Sequence, residues 1–154
     1  MSTPAPSSFR ITTAPDLVYG VWDAERFETR SADWVQVPGA EVHLMLGQGW
    51  PSYGAQFVAT FSAEALCSDN DKDGQGVLQA TVFFGDTQAE PVSGNHRFVT
   101  ARGNPEWSSH TFIRTVRFEP DSAVRDVSAR VKLKASGAEG GVQNWFLKIE
   151  RFSL

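Results

Sequence analysis

Residues 127–134 read Val127-Ser128-Ala129-Arg130-Val131-Lys132-Leu133-Lys134. Apolar and polar side chains alternate without a break, so one face is apolar and the other carries Arg130, Lys132 and Lys134. A period of two marks a strand with one buried face, whereas a helix needs apolar residues three and four apart. The same period recurs on both sides of this stretch. Ala55, Phe57, Ala59 and Phe61 alternate with Gln56, Val58 and Thr60, and Trp145, Leu147 and Ile149 alternate with Phe146, Lys148 and Glu150. Phe112 and Val116 alternate with Ile113 and Thr115. Residues 77–84 are apolar on both faces and read as a more central strand.

Pro38-Gly39, Gly47-Gln48-Gly49, Asp73-Gly74, Ser93-Gly94-Asn95, Gly103-Asn104-Pro105 and Gly140-Gly141 punctuate the chain at short intervals. Between them the pattern predicts strands near 17–22, 34–37, 41–46, 55–62, 77–84, 97–100, 111–118, 124–134 and 143–152, with a helical turn only at 62–67. Composition agrees: Val (15), Phe (11), Thr (10) and Trp (5) outweigh Leu (8), a balance that suits a pleated surface. Many strands with Gly/Pro turns mean an all-β sandwich or barrel. At 154 residues and 41% hydrophobic the chain makes one domain with a core of its own. Residues 1–15, rich in Ser, Thr and Pro, are expected to form a flexible arm, and residues 16–154 a single sandwich domain.

A net charge of −4 and a pI near 5.3 give nothing to attract nucleic acid or an anionic membrane. The charge is uneven, at −7 over residues 1–109 and +3 over 110–154. A mean hydropathy of −0.27 and the lack of a long apolar run exclude a membrane-spanning helix. Met1–Arg10 has no basic-then-apolar leader pattern, so a cytoplasmic or virion location is expected. Cys67 is the one cysteine, which excludes an internal disulfide and a thiolate zinc cluster.

The order of segments carries a resemblance. Residues 55–64 (AQFVATFSAE) are followed soon by Cys67 and then by a loop. Next come a strand with Val82 and Phe84, a short Glu90-Pro91 segment and a long strand with Val131. The chain closes on Trp145-Phe146-Leu147-Lys148-Ile149-Glu150-Arg151. This resembles small bacterial and phage jelly-roll proteins, and more loosely the C1q and tumour-necrosis-factor-like β-sandwiches, over residues 35–152. The resemblance implies a ten-strand jelly roll, often a homotrimer, and no catalytic residues; with the pattern's about eight to ten strands the expected fold is an antiparallel β-sandwich of jelly-roll type. It also implies that the terminal strand lies at the subunit axis, which makes Trp145, Phe146 and Phe152 the expected interface anchors. On the arm, Phe9 and Ile11 are the residues expected to lie along a partner.

Local motifs offer other chemistry. Asp69-Asn70-Asp71-Lys72-Asp73-Gly74 has the carboxylate spacing of the first half of a calcium loop, so Asp69, Asp71 and Asp73 are candidate ligands. The twelfth position is Ala80, where an EF-hand needs a bidentate glutamate, and a plain polar turn explains the same residues. Trp50 and Tyr53 in a Gly/Pro-bounded loop, with Trp107, are candidate sugar-stacking residues, or caps on the core. His43, His96 and His110 form no close ligand pair, and Cys67 reads as a small buried hydrophobe. Arg130, Lys132 and Lys134 read as a solvated strand face.

The expected function is a non-enzymatic structural or interaction module. It self-associates and decorates or links a larger assembly such as a phage virion. The alternative is a carbohydrate-binding module, calcium-assisted if the acidic loop takes the ion and otherwise free of cofactors.

Overall fold

A computed structural model describes residues 5–45, 54–69, 76–101, 105–120 and 126–153. Among these residues ten strands appear in chain order: β1 (Leu17–Asp23), β2 (Phe27–Thr29), β3 (Val35–Met45), β4 (Ala55–Asp69), β5 (Val77–Phe84), β6 (Thr87–Gln88), β7 (Arg97–Thr100), β8 (Ser108–Phe118), β9 (Asp126–Ser136) and β10 (Ala138–Ser153). They form two antiparallel sheets. The first runs β1-β10-β4-β8, with β2 beside β10 at the same edge as β1; the second runs β3-β9-β5-β6, with β7 also beside β5. Consecutive long strands keep changing sheet, which wraps the chain around one core as a jelly roll. The protein is an all-β jelly-roll sandwich.

Alternation sets the core. β4 turns Phe57, Ala59, Phe61, Ala63, Ala65 and Cys67 inward, all almost completely buried. Its alanines leave room for rings from the facing strands, because neighbouring inward positions share one layer about 10 Å thick. Phe61 packs 5.5 Å from Phe112, 5.9 Å from Phe98 and 6.2 Å from Trp145 between ring centroids. Phe57 meets Phe84 at 5.7 Å. β9 adds Val127, Ala129, Val131 and Leu133 to the same layer, as its alternation predicts.

Several local expectations are corrected. Residues 62–67 form no helical turn. They continue β4, because Ser62 and Glu64 to Cys67 pair with β10 on one side and Ser62 to Ala65 with β8 on the other. Pro38-Gly39 does not end a strand. It is a bulge inside β3, where the pairing with β9 jumps from Gln36 to Glu41 and Gly39 takes φ +79°. Gly140-Gly141 lies within β10, and the reversal comes earlier, at Gly137. Both glycines stay in the strand for want of space: a Cβ on Gly140 would sit 2.8 Å from Leu78, and one on Gly141 2.8 Å from the Phe27 carbonyl. The β-central reading of residues 77–84 holds, since β5 lies between β9 and the β6/β7 edge.

Candidate functional site: the outer face of the first sheet

The site begins with a bulge. In β10 the pairing with β4 jumps between Gln143 and Phe146, and Asn144 takes φ +48°. The extra residue switches parity. Before it Ala138, Gly140 and Val142 point inward; after it Trp145, Leu147, Ile149 and Arg151 do. Trp145 is therefore 2% exposed and spent on the core, against the expectation of an interface anchor. Strand neighbours face opposite sides, so Trp145 and Phe146 cannot both serve one outer surface. Phe146 does point out, and Phe152, half-buried, shares its face.

Cross-strand pairing assembles rows on this face. Trp22, Phe146, Ser62 and Thr111 form one; Gly20, Lys148, Thr60 and Ile113 the next; Val18, Glu150, Val58 and Thr115 a third. Trp22 and Phe146 lie parallel, 1° apart with centroids at 5.5 Å. Gly20 makes this possible, because the Phe146 ring comes within 3.1 Å of where a Cβ would stand. Trp22 is 69% exposed, Ile113 59%, Val18 58% and Phe146 42%. Of the seven exposed large apolar side chains among the described residues, these four stand on one face.

Polar groups on the face are mostly satisfied within it. Ser62 and Thr111 share a hydroxyl hydrogen bond of 2.5 Å, and Lys148 pairs with Glu150 at 3.6 Å. Gln143 Nε2 and Asn144 Nδ2 both donate to Glu64, at 2.8 and 3.1 Å, and hold its carboxyl below the usual range. A hollow of about 320 Å³ lies beside Trp22, Asp23, Asn144 and Phe146. The outer face of the second sheet is different in kind. Arg130 pairs with Glu41 at 3.0 Å, Lys132 covers the Phe83 ring at 4.5 Å, and Lys134 covers Trp34 at 4.7 Å. Its aromatics lie under cations, while those of the first sheet face solvent bare.

A cavity of about 420 Å³ opens at one end of the sandwich, between β7 and the start of β8. Ser108 Oγ and His110 Nε2 lie 2.7 Å apart at its wall, and the Phe98 ring packs 5.4 Å from His110. Cys67 lines the same cavity, but burial and then the Asp69 charge push its thiol up to about 11, so it stays protonated and inert.

The remaining expected residues are scattered. Phe9 is 46% exposed and Ile11 half-buried on the arm. Trp107 is half-buried with the Arg26 guanidinium 4.8 Å over its ring, so one stacking face is taken. Asp69 ends β4 opposite Ala138. Asp71, Asp73, Trp50 and Tyr53 lie outside the described residues, and no cluster of three metal-ligating side chains occurs within them. Trp22 was missed in the sequence, although Val18, Gly20 and Trp22 alternate there. The signal is cross-strand: only the register that sets Trp22 opposite Phe146 makes it part of a patch.

No protein-family model matches the chain, and no curated protein sequence does. Among solved structures it is similar to the VP2 subviral particle of infectious bursal disease virus, at 11% identity and a TM-score of 0.46, covering 96% of this chain and 37% of that one. It is similar to Eiger TNF from S. frugiperda, at 8% identity and 0.36, covering 90% and 94%. The xylan-binding module CBM15 matches at 16% identity and 0.31, covering 87% and 95%. The chain thus spans well under two thirds of the VP2 chain. No helix among the described residues is long and apolar enough to cross a membrane.

Proposed function

We propose that this protein is a non-enzymatic module that joins copies of itself through the outer face of the first sheet. In that form it decorates or links a larger assembly. One observation carries the reading: the contrast between the two outer faces. Trp22, Ile113, Val18 and Phe146 stand bare on the first, whereas the aromatics of the second lie beneath lysines. Exposed apolar side chains gathered on one sheet face, with Trp22 and Phe146 adjacent and Val18 and Ile113 on neighbouring rows, mark a candidate interaction surface. The buried centre of an interface favours aromatics, and charge is sparse here. Three copies is the preferred count, because β10 runs through the middle of the face and the resemblance to tumour-necrosis-factor-like sandwiches puts the terminal strand at the axis.

The test is native mass by sedimentation. A mass near three times 16.9 kDa supports the trimer. Trp22→Ser with Ile113→Ser should return it to one chain with its strand signal intact, since both residues are exposed and cost the fold little. A full-length protein that stays a single chain at micromolar concentration overturns the reading.

A second reading is carbohydrate binding. The parallel Trp22–Phe146 pair, with Ser62, Thr111 and Lys148 alongside, offers a flat aromatic surface beside hydroxyl and ammonium partners. Glycan-array binding that Trp22→Ser abolishes would favour it, and measuring with and without calcium tests the acidic loop.

A further inference from the structure

A sheet edge left open invites another strand, and proteins blunt their edges to prevent it. Among the described residues, three of the four edges are interrupted at a point or are short. On β8, Glu90 and Thr115 exchange backbone hydrogen bonds of 2.7 and 2.8 Å. β3 carries the Pro38-Gly39 bulge, and β6 and β7 are two and four residues long. At the remaining edge β2 is only three residues long, but β1 runs seven, Leu17-Val18-Tyr19-Gly20-Val21-Trp22-Asp23, with no proline, lysine or arginine and no bulge. Its only ladder among the described residues is to β10.

Just before it stands a segment that reads as a strand without a partner. Residues 7–14 are Ser-Ser-Phe-Arg-Ile-Thr-Thr-Ala, free of proline and rich in strand formers, with Phe9 and Ile11 at alternate positions. In the structure it joins no sheet, and Phe9 faces solvent. It cannot close a tight hairpin on its own β1. The link is Pro15-Asp16, and a two-residue hairpin turn needs positive φ where the proline ring fixes it near −65°. Asp16 moreover extends the ladder: its N–H donates to the Arg151 carbonyl at 2.9 Å, and its carboxylate takes Arg151 Nε at 2.9 Å and the Ser153 hydroxyl. The chain therefore enters β1 in line, with Asp16 already held against β10, while Phe9 of the arm is exposed and Ile11 half-buried.

We infer that residues 7–14 of one copy add as a strand to the free edge of β1 in a neighbouring copy. The inference rests on the self-association reading and extends it to a second contact, continuous with Val18 and Trp22 on the same strand. Each copy gives one arm and receives one, a head-to-tail exchange that closes in a ring. Main-chain hydrogen bonds supply the attachment, and Phe9 and Ile11 supply its side-chain contacts.

The experiment compares the full-length protein, an Ile11→Pro variant and a variant lacking residues 5–14, by sedimentation and amide hydrogen exchange. The expected result is an oligomer whose arm amides exchange about 100-fold more slowly than in the Ile11→Pro variant, and whose outward β1 amides exchange about 100-fold more slowly than in the deletion variant. Both variants should associate at least about tenfold more weakly. An oligomer whose arm exchanges freely, and whose mass survives the deletion, overturns the arm exchange while leaving the sheet-face reading intact. A single chain with a protected arm means the arm folds back in cis, and overturns both. A single chain with an unprotected arm also overturns both.

Discussion

Three hydrogen-bond donors converge on the His96 ring. The Ser93 N–H reaches Nε2 at 3.0 Å, Gln88 Nε2 lies 3.0 Å from the same nitrogen, and Arg114 Nη2 lies 3.3 Å from Nδ1. A neutral imidazole accepts at one nitrogen only, and a protonated one at neither. Burial, then the charges of Arg114 and Lys134, hold the ring below its ordinary value of 6.5. The unfolded chain then takes up a proton that the folded one refuses. Stability should be level above about pH 6.5 and fall as pH drops below it. A His96→Gln variant should lack that limb when urea midpoints are compared between about pH 8 and pH 5. The carboxylates act lower. Burial opposes ionisation of Asp16, but Arg151 and Ser153 outweigh it; Gln36, Ser128 and Arg130 do the same for Glu41. Their contribution is present above the unfolded values of 3.8 and 4.5 and is lost as pH falls through the lower folded ones. Equal acid sensitivity of the His96 variant and the natural chain near pH 6 would refute the first limb.

β4 holds the two sheets together, and Phe61 is its centre. With Phe98, Phe112 and Trp145 around it and no exposure, Phe61→Ala should cost about 3–5 kcal/mol, read as a lower urea midpoint. At the other end of β10, Gly141→Ala would force a methyl to within 2.8 Å of the Phe27 carbonyl. Overpacking of that kind costs about 1–3 kcal/mol. The change should strip β2 from the sheet, visible as fast exchange at 27–29 with β1 unaffected. These elements differ in how far the sequence announces them. Residues 77–84 and 97–100 match strands to the residue, because alternation and turn residues agree there. The second half of β4 does not announce itself: Ala63 and Ala65 are small, and only the rings opposite them explain why a strand needs alanine. β2 and β6, of three and two residues, exist by pairing with β10 and β5 and have too few positions to show a period. The Asn144 bulge decides which aromatic faces the core and which faces out, and its positive φ leaves no mark in a single sequence beyond an asparagine.

At the scale of the molecule, the uneven charge along the chain predicts salt-sensitive association, while the bare face of the first sheet predicts the opposite. Lys148–Glu150 is a satisfied pair within the central rows of that face. Self-association should therefore change less than about threefold between roughly 50 and 500 mM salt, since screening weakens exposed charges and leaves apolar burial untouched. A much steeper fall, followed by sedimentation across a salt series, would assign the contact to charge. The sandwich class was legible because the period of two pervades the chain. The exposed patch was not, because it is a property of register between strands more than a hundred residues apart. That separation bears on how the protein is made. β10 is the middle strand of the first sheet, between β1 and β4, yet it leaves the ribosome after both. About seventy residues separate the end of β4 from the start of β10, several seconds of synthesis at about 5–20 residues per second. Throughout that interval β1 and β4 have no common neighbour, and the nascent chain shows two sticky strands to the cell. Sheet closure is consequently a late event of biosynthesis, and until β10 emerges β1 is open on both flanks, not only on the one that receives an arm in the finished protein.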